Sequence, residues 1–249
     1  MTPSVEFSFI RPMNPLLIKD LGQQDYLATL ALQERLLAEK QAGQLSDILL
    51  LVEHDHVFTT GRGGKEKNLL KAGGVPFIRA SRGGDITYHG PGQMVVYPLL
   101  DLRSTLRKDV HKYLQNLEWS LIDTLNKLGI PATRIPPWTG IWIRERKIAS
   151  LGIAVRKGVT YHGLALNVTT DLGYFKRIIP CGLTWAEVTS MERELGRSIP
   201  LSAVKEVFID CFMKRFRYKG HQELCHEDIP TGSRLRHPVT FNTSASNGF

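Results

Sequence analysis

The chain has 249 residues, 42% of them hydrophobic and 22% charged, which excludes a disordered segment or a membrane-embedded bundle and allows one large core. Lys and Arg outnumber Asp and Glu by 32 to 24, a net charge of +8, so the expected partner is acidic, and composition does not choose between nucleic acid and an acidic protein. Three cysteines, Cys181, Cys211 and Cys225, fit neither a disulfide framework nor a metal site and read as free thiols; without a secretory or transit pattern or a membrane-length apolar run, the expected compartment is the cytoplasm.

In chain order, the alternation of Val5, Phe7 and Phe9 predicts a strand over 5–10. The spacing of Tyr26, Leu27, Leu30 and Leu37 predicts a helix over about 23–40 with those four on its buried face. Residues 47–53 form a nearly continuous apolar run, the pattern of a strand buried on both faces, and 57–60 resumes extended structure before Gly61. Further strands are expected at 76–80, 85–89 and 93–98. A second helix over 110–128 carries Leu114, Leu117, Leu121, Leu125 and Leu128 at helical spacing and stops at Gly129, with Pro131 beyond. Strands at 140–143, 147–155 and 159–168, separated by short charged turns, predict an antiparallel meander, and a last helix is expected over 202–216. Helices and strands alternate early and strands dominate later, which favours an α+β fold, a mixed β-sheet with packed helices, in one domain over 1–218; the polar residues 219–249 read as a mobile tail.

Chemistry concentrates in a few strings. In Arg82-Gly-Gly-Asp-Ile-Thr-Tyr-His-Gly-Pro-Gly-Gln93 the glycines allow tight turns and close approach, and the polar side chains between them suit a loop that cradles a ligand. Taken alone, the residues also allow a Gly-rich hairpin in which His89 is a satisfied polar group, and for a single glycine motif that is the default reading. Cys181 lies between Pro180, which fixes the backbone, and Gly182, which lets an N–H face a reacting group. Thr184-Trp-Ala-Glu187 matches a capping box, so a helical turn beginning there would favour the thiolate. A small buried hydrophobe is the other reading of a lone cysteine, and Cys211 and Cys225 take it. A thiol of ordinary pKa, about 8.5, needs a base or cation beside it; Lys147, at the head of Lys-Ile-Ala-Ser-Leu-Gly152, and His89 are the candidates, against an exposed turn lysine and a loop histidine. Glu53-His-Asp-His56 lacks a third ligand at metal-site spacing, so no metal is expected.

Taken together and in order, Arg82–Gln93, Arg146-Lys-Ile-Ala-Ser-Leu-Gly152, Gly163-Leu-Ala-Leu-Asn167 and Pro180-Cys-Gly182 resemble the four signature blocks of the octanoyltransferases of lipoate biosynthesis, the lipoyl(octanoyl) transferases or lipoate-protein ligase B family, over about residues 5–216. The resemblance implies a fold like the catalytic domain of biotin and lipoate protein ligases. It implies transfer of an octanoyl group from octanoyl-acyl carrier protein to a lysine of lipoyl domains, those of 2-oxoacid dehydrogenases and the glycine cleavage H protein. By the same resemblance Cys181 carries the acyl group as a thioester and Lys147 activates it; His89, placed third, either orients the pair or hydrogen-bonds the loop. Arg82, Gly83, Gly84, Asp85, Ile86, Thr87, Tyr88, His89, Ser150, Leu151, Gly152, Gly163, Leu164 and Ala165 then line the acyl site. No cofactor, nucleic acid or membrane is implied, and no Walker loop is present in the sequence. Two rivals remain: an ATP-dependent lipoate or biotin ligase on the same fold, and a nucleic-acid binder using the basic surface.

Overall fold

The apolar run at 48–52 serves two cores at once: Leu49 and Leu51 join one buried cluster, while Ile48, Leu50 and Val52 join another on the opposite face. The computed structural model describes residues 15–105, 109–183 and 185–224. They form β1 (Leu16–Gln24), α1 (Tyr26–Gln41), β2 (Ile48–His54), β3 (Val57–Thr60), β4 (Phe77–Arg79), β5 (Thr87–His89), β6 (Gln93–Leu99), α2 (Leu102–Thr105), α3 (Val110–Lys127), β7 (Thr133–Ile135), β8 (Trp138–Ile143), β9 (Arg146–Arg156), β10 (Val159–Asn167), β11 (Glu187–Val188), α4 (Met191–Leu195), α5 (Leu201–Phe216) and β12 (His221–Glu223).

The large sheet runs β12-β1-β2-β6-β10-β9-β8-β7, with β11 beside β9, and a small sheet runs β4-β3-β5. Strand β1 pairs in parallel with β2 and β12; β2, β6, β10, β9, β8 and β7 pair antiparallel in that order. This is the mixed α+β architecture expected, with the predicted meander at β8-β9-β10.

Strand parity sorts the side chains into layers. Met94 and Val96 of β6 and Leu164 and Leu166 of β10 face α3 and α5, where they meet Leu117, Leu121, Leu125, Phe208 and Phe212. Val95, Tyr97 and Leu99 of β6 and Val159 of β10 face α1 through Leu36 and Leu37. Each such fully buried side chain contributes roughly 1.5–3 kcal/mol. Asp109 caps α3 by accepting from the Lys112 N–H at 2.9 Å, and Gly129, at φ +81°, ends it in the left-handed region as the sequence indicates. No helix among the described residues is long and apolar enough to cross a membrane.

Several expectations are corrected. Residues 23 and 24 belong to β1, and helix α1 begins at Tyr26, because the Asp25 carboxylate accepts from the Ala28 N–H at 2.8 Å and fixes the start there. Leu27 is 54% exposed, since the buried face of α1 is built from Tyr26, Thr29, Gln33, Leu36, Leu37 and Lys40. The polar members of that face have partners: Gln33 Oε1 accepts from the His162 N–H at 2.9 Å, and Lys40 pairs with Asp47. The helical turn expected from the 184–187 capping box is not formed over residues 185–188, where Glu187 pairs in parallel with Arg146 as part of β11; Thr184 lies outside the described residues. The fold also continues past residue 218, where β12 pairs with β1 and the Leu224 N–H donates to the Ile18 carbonyl at 2.8 Å. The strand expected at 5–10 and the rest of the tail, 225–249, lie outside the described residues.

Candidate active site

The floor of the site is a strip of small residues on paired strands. Ser150 of β9 lies opposite Ala165 of β10, Gly152 lies opposite Gly163, and Val95 of β6 pairs with Ala165 on its other side. A Cβ on Gly163 would stand 2.0 Å from the Val96 carbonyl oxygen, and one on Gly152 would stand 2.9 Å from Arg82 Cδ, so only glycine permits both the strand pairing and the loop above it. That loop is the roof. The Gly83 N–H donates to the Ile153 carbonyl of β9 at 2.8 Å. The buried Arg82 guanidinium donates to the Gly83 and Asp85 carbonyls at 3.0 and 2.9 Å and to the Thr59 carbonyl at 2.8 Å. Its charge therefore fastens the loop together and onto β3.

The enclosed slot is lined by Arg82, Gly84, Asp85, Thr87, His89, Ser150, Leu151, Gly152, Gly163, Leu164 and Ala165, all singled out from sequence. Ile86 and Tyr88 turn away, because along a strand alternate side chains face opposite sides, and they pack with Phe58, Phe175 and Ile178. Gly83 acts through its backbone. Four further lining residues, Tyr26, Val95, Tyr97 and His162, were not foreseen as site residues. Tyr26 looked like helix core, Val95 and Tyr97 like ordinary strand, and His162 had only its position next to Gly163 as a signal.

A set of buried histidines and tyrosines closes one side of the slot. The His54 ring lies 5.2 Å from Tyr26 and 5.9 Å from His89, and Tyr26 stacks on His89 at 6.0 Å. His54 Nδ1 lies 3.0 Å from the Gln24 carbonyl, an acceptor only, so Nδ1 donates and Nε2 accepts from the Tyr97 hydroxyl at 2.7 Å. Burial, then the neighbouring His54 and Arg82, push the His89 pKa down to about 3. Burial and Arg82 push His162 down to about 3 as well. All three imidazoles, His54 included, are held toward the neutral form at neutral pH.

On β9, three residues before Ser150, Lys147 is 4% exposed; its Nζ donates to the Thr139 carbonyl at 3.0 Å and lies 5.4 Å from the Trp142 ring centroid. A Cβ on Gly140 would stand 2.6 Å from Lys147 Cε, so that glycine, at φ +137°, makes room for the side chain. Nearby Glu118 pairs with Arg134 at 2.6 Å, and burial raises its pKa.

The backbone around Cys181 forms a tight turn, Pro180–Gly182. Gly182 sits against the roof: a Cβ there would be 3.0 Å from Asp85 Oδ2, the same oxygen that accepts from Asn68 Nδ2 at 2.6 Å. The segment leading in is bonded to the neighbouring loop, with the Ile179 N–H donating to the Asn68 carbonyl at 2.8 Å. The segment leading out places Trp185 on Trp142 at 5.5 Å, pairs Val188 with Lys147, and has the Thr189 N–H donating to the Lys147 carbonyl at 2.9 Å. The cysteine-bearing turn is thus tethered on one side to Asp85 and on the other to the strand of Lys147.

The string at 53–56 is used structurally. The Glu53 carboxylate accepts from the Gly92 N–H at 2.9 Å, His54 joins the ring cluster, Asp55 accepts from the Gln23 amide at 2.6 Å, and His56 lies 2.7 Å from the Tyr88 hydroxyl. Cys211 is buried in α5.

Comparison with known proteins agrees with this geometry. Residues 25–213 match the lipoyl protein ligase A/B catalytic domain. The octanoyltransferase of Solibacter usitatus is 48% identical over 208 residues, covering 81% of this chain and 93% of that one. That of Geobacter metallireducens is 47% identical over 190 residues, covering 76% and 88%. A bipartite lipoate protein ligase from Thermoplasma acidophilum, 18% identical, superposes with a TM-score of 0.65 over 86% of this chain and 88% of its own, which shows the shared fold. With three of the four sequence blocks lining one slot, the fourth set against its roof at Gly182, and relatives of this closeness, the chain belongs to the octanoyltransferases of the lipoyl protein ligase A/B catalytic-domain family.

Proposed function

We propose that this enzyme moves the octanoyl group of octanoyl-acyl carrier protein onto a lysine of lipoyl domains, holding it in between as a thioester on Cys181. The observation that carries this reading is the seating of the Pro180–Gly182 turn against Asp85, at a slot whose floor strand also bears Lys147. The strip of Val95, Gly152, Gly163 and Ala165 gives the acyl chain an apolar bed, and the Arg82–Asp85 roof keeps water from it.

In the first half-reaction Lys147 takes the thiol proton, Cys181 sulfur bonds to the thioester carbonyl carbon, and the donor carbon–sulfur bond breaks as Lys147 returns that proton to the departing sulfur, releasing the carrier's thiol and leaving Lys147 neutral. Thioester exchange is nearly isoenergetic, so the acyl group stays activated. In the second, the ε-amine of the acceptor lysine bonds to the same carbon, the bond to Cys181 breaks, and the amine proton leaves to Lys147. Amide formation from a thioester is downhill, so no ATP is required. The +8 charge steers acidic carrier and lipoyl domains toward the enzyme, and the reducing cytoplasm keeps the cysteine a thiol.

The test is to mix enzyme, octanoyl-acyl carrier protein and apo lipoyl domain without ATP and weigh the domain. One octanoyl amide per domain is expected. Transfer only from free octanoate with ATP would contradict the proposal and point to an adenylating ligase.

A further inference from the structure

His89 reaches the slot, yet its ring is governed from behind by an amide chain that no family block assigns a role. Asn167 Nδ2 donates to the Thr189 carbonyl at 3.0 Å, which turns its Oδ1 toward Gln93. The Gln93 amide nitrogen then donates to two pure acceptors, Asn167 Oδ1 at 2.9 Å and the Tyr88 carbonyl at 3.1 Å. Both amide hydrogens are used, so Gln93 Oε1, 2.8 Å from His89 Nδ1, can only accept, and Nδ1 must donate. His89 Nε2 makes no hydrogen bond among the described residues and is not sealed away, since the residue lines the slot. Gln93, Asn167 and Thr189 are themselves buried, so each bond is made in a medium where losing it is costly.

We propose that Gln93, backed by Asn167, is a positioning residue that fixes His89 as the Nδ1–H tautomer and presents the Nε2 lone pair to the slot as the acceptor for an N–H of the incoming amine. The inference deepens the octanoyl-transfer reading and rests on it for the identity of the amine. The hydrogen bond orients the amine so that its own lone pair points at the thioester carbon, and the proton released on attack still goes to Lys147. The titratable and charged groups facing His89 are Tyr26 from α1, His54 from β2, Arg82 from the roof and His162 from β10. The cationic form is disfavoured there, which keeps Nε2 an acceptor. The same chain ends beside the other proposed participant, because the Thr189 N–H is bonded to the Lys147 carbonyl.

Long-range proton–nitrogen NMR on the 15N-labelled full chain reads the tautomer without any assay. His89 is expected as neutral Nδ1–H from about pH 8 down to about pH 5. Observing Nε2–H in the wild type would overturn the proposal. Gln93→Leu is expected to mix the tautomers and lower kcat for the lipoyl domain by about tenfold or more with little change in KM. Gln93→Glu keeps an acceptor but adds a negative charge that favours imidazolium, so its pH–rate profile gains an acid limb that the wild type lacks over the same range. Equal loss in both variants with no new limb would assign Gln93 a purely structural role and defeat the proposal. A wild-type enzyme that transfers no octanoyl group at all would sink the functional reading instead, leaving the tautomer spectrum to decide this one.

Discussion

The middles of strands β6 and β10 and the adjoining ends of the same strands obey different rules. Through their middles, Met94, Val96, Leu164 and Leu166 fill an apolar layer against α3 and α5, where volume and parity decide which residue fits. At adjoining ends the same strands carry Gln93 and Asn167, buried amides joined by specific bonds: Gln93 Nε2 donates to the Tyr88 carbonyl and to Asn167 Oδ1, and Asn167 Nδ2 donates to the Thr189 carbonyl. The apolar layer tolerates exchange among side chains of similar size and is sensitive to lost volume. The end that holds Gln93 and Asn167 is intolerant of lost partners, because an unpaired buried polar group keeps its desolvation cost. Stability and chemistry should therefore separate when each region is mutated.

Cys181→Ser should make the separation largest: octanoyl transfer falls below detection in a single-turnover assay, a hydroxyl being far the weaker nucleophile, while the thermal midpoint is unchanged. Lys147→Ala should lower the transfer rate by about 10²–10⁴-fold, the usual worth of a positioned base, with a native circular-dichroism spectrum; a near-normal rate would remove Lys147 from the reaction. Leu121→Ala, fully buried in the apolar layer, is the converse case. Urea unfolding should show a loss of about 2–5 kcal/mol, with kcat per folded molecule unaltered.

A pH series separates the two regions further, because His89 and His162, whose protonation opposes folding, line the slot. Folding lowers the pKa values of His89 and His162 from 6.5 to about 3, so the unfolded chain binds more protons between those values. Their stabilising effect is complete above about pH 6.5 and is lost as pH falls toward 3. The urea midpoint should drop over that window, and a flat midpoint would mean the imidazoles are more solvated than their burial indicates. The smallest effect is expected from salt: raising ionic strength should increase KM for the acidic carrier modestly and leave kcat alone, as screening of a diffuse charge predicts.

Much of this was legible in the sequence wherever local rules act. The continuous apolar run marked β2, strand-length segments between turns marked β6 and the β8-β9-β10 meander within a residue or two, and Gly129 ended α3 where a left-handed residue was needed. The sequence blocks marked the roof and floor of the slot. What escaped depends on partners far along the chain. Strand β1 contains Lys19, buried because its Nζ donates to the Leu224 carbonyl 205 residues away, and no local pattern announces such a strand. Strand β12 is polar and forms only because β1 offers an edge. The face of α1 was misjudged because Gln33 and Lys40 are buried by their bonds to His162 and Asp47 rather than by their own chemistry. Ile86 and Tyr88 fell within the right block and on the wrong side of its strand.

The central claim is that the octanoyl group rests on Cys181, and intact-protein mass spectrometry tests it most directly. Wild type and Cys181→Ser are mixed with octanoyl-acyl carrier protein, without ATP and without acceptor. A single octanoyl adduct is expected on the wild type, released by hydroxylamine and absent from the variant. An unmodified wild type that nonetheless transfers octanoyl to a lipoyl domain, or an adduct that persists in Cys181→Ser, would contradict it.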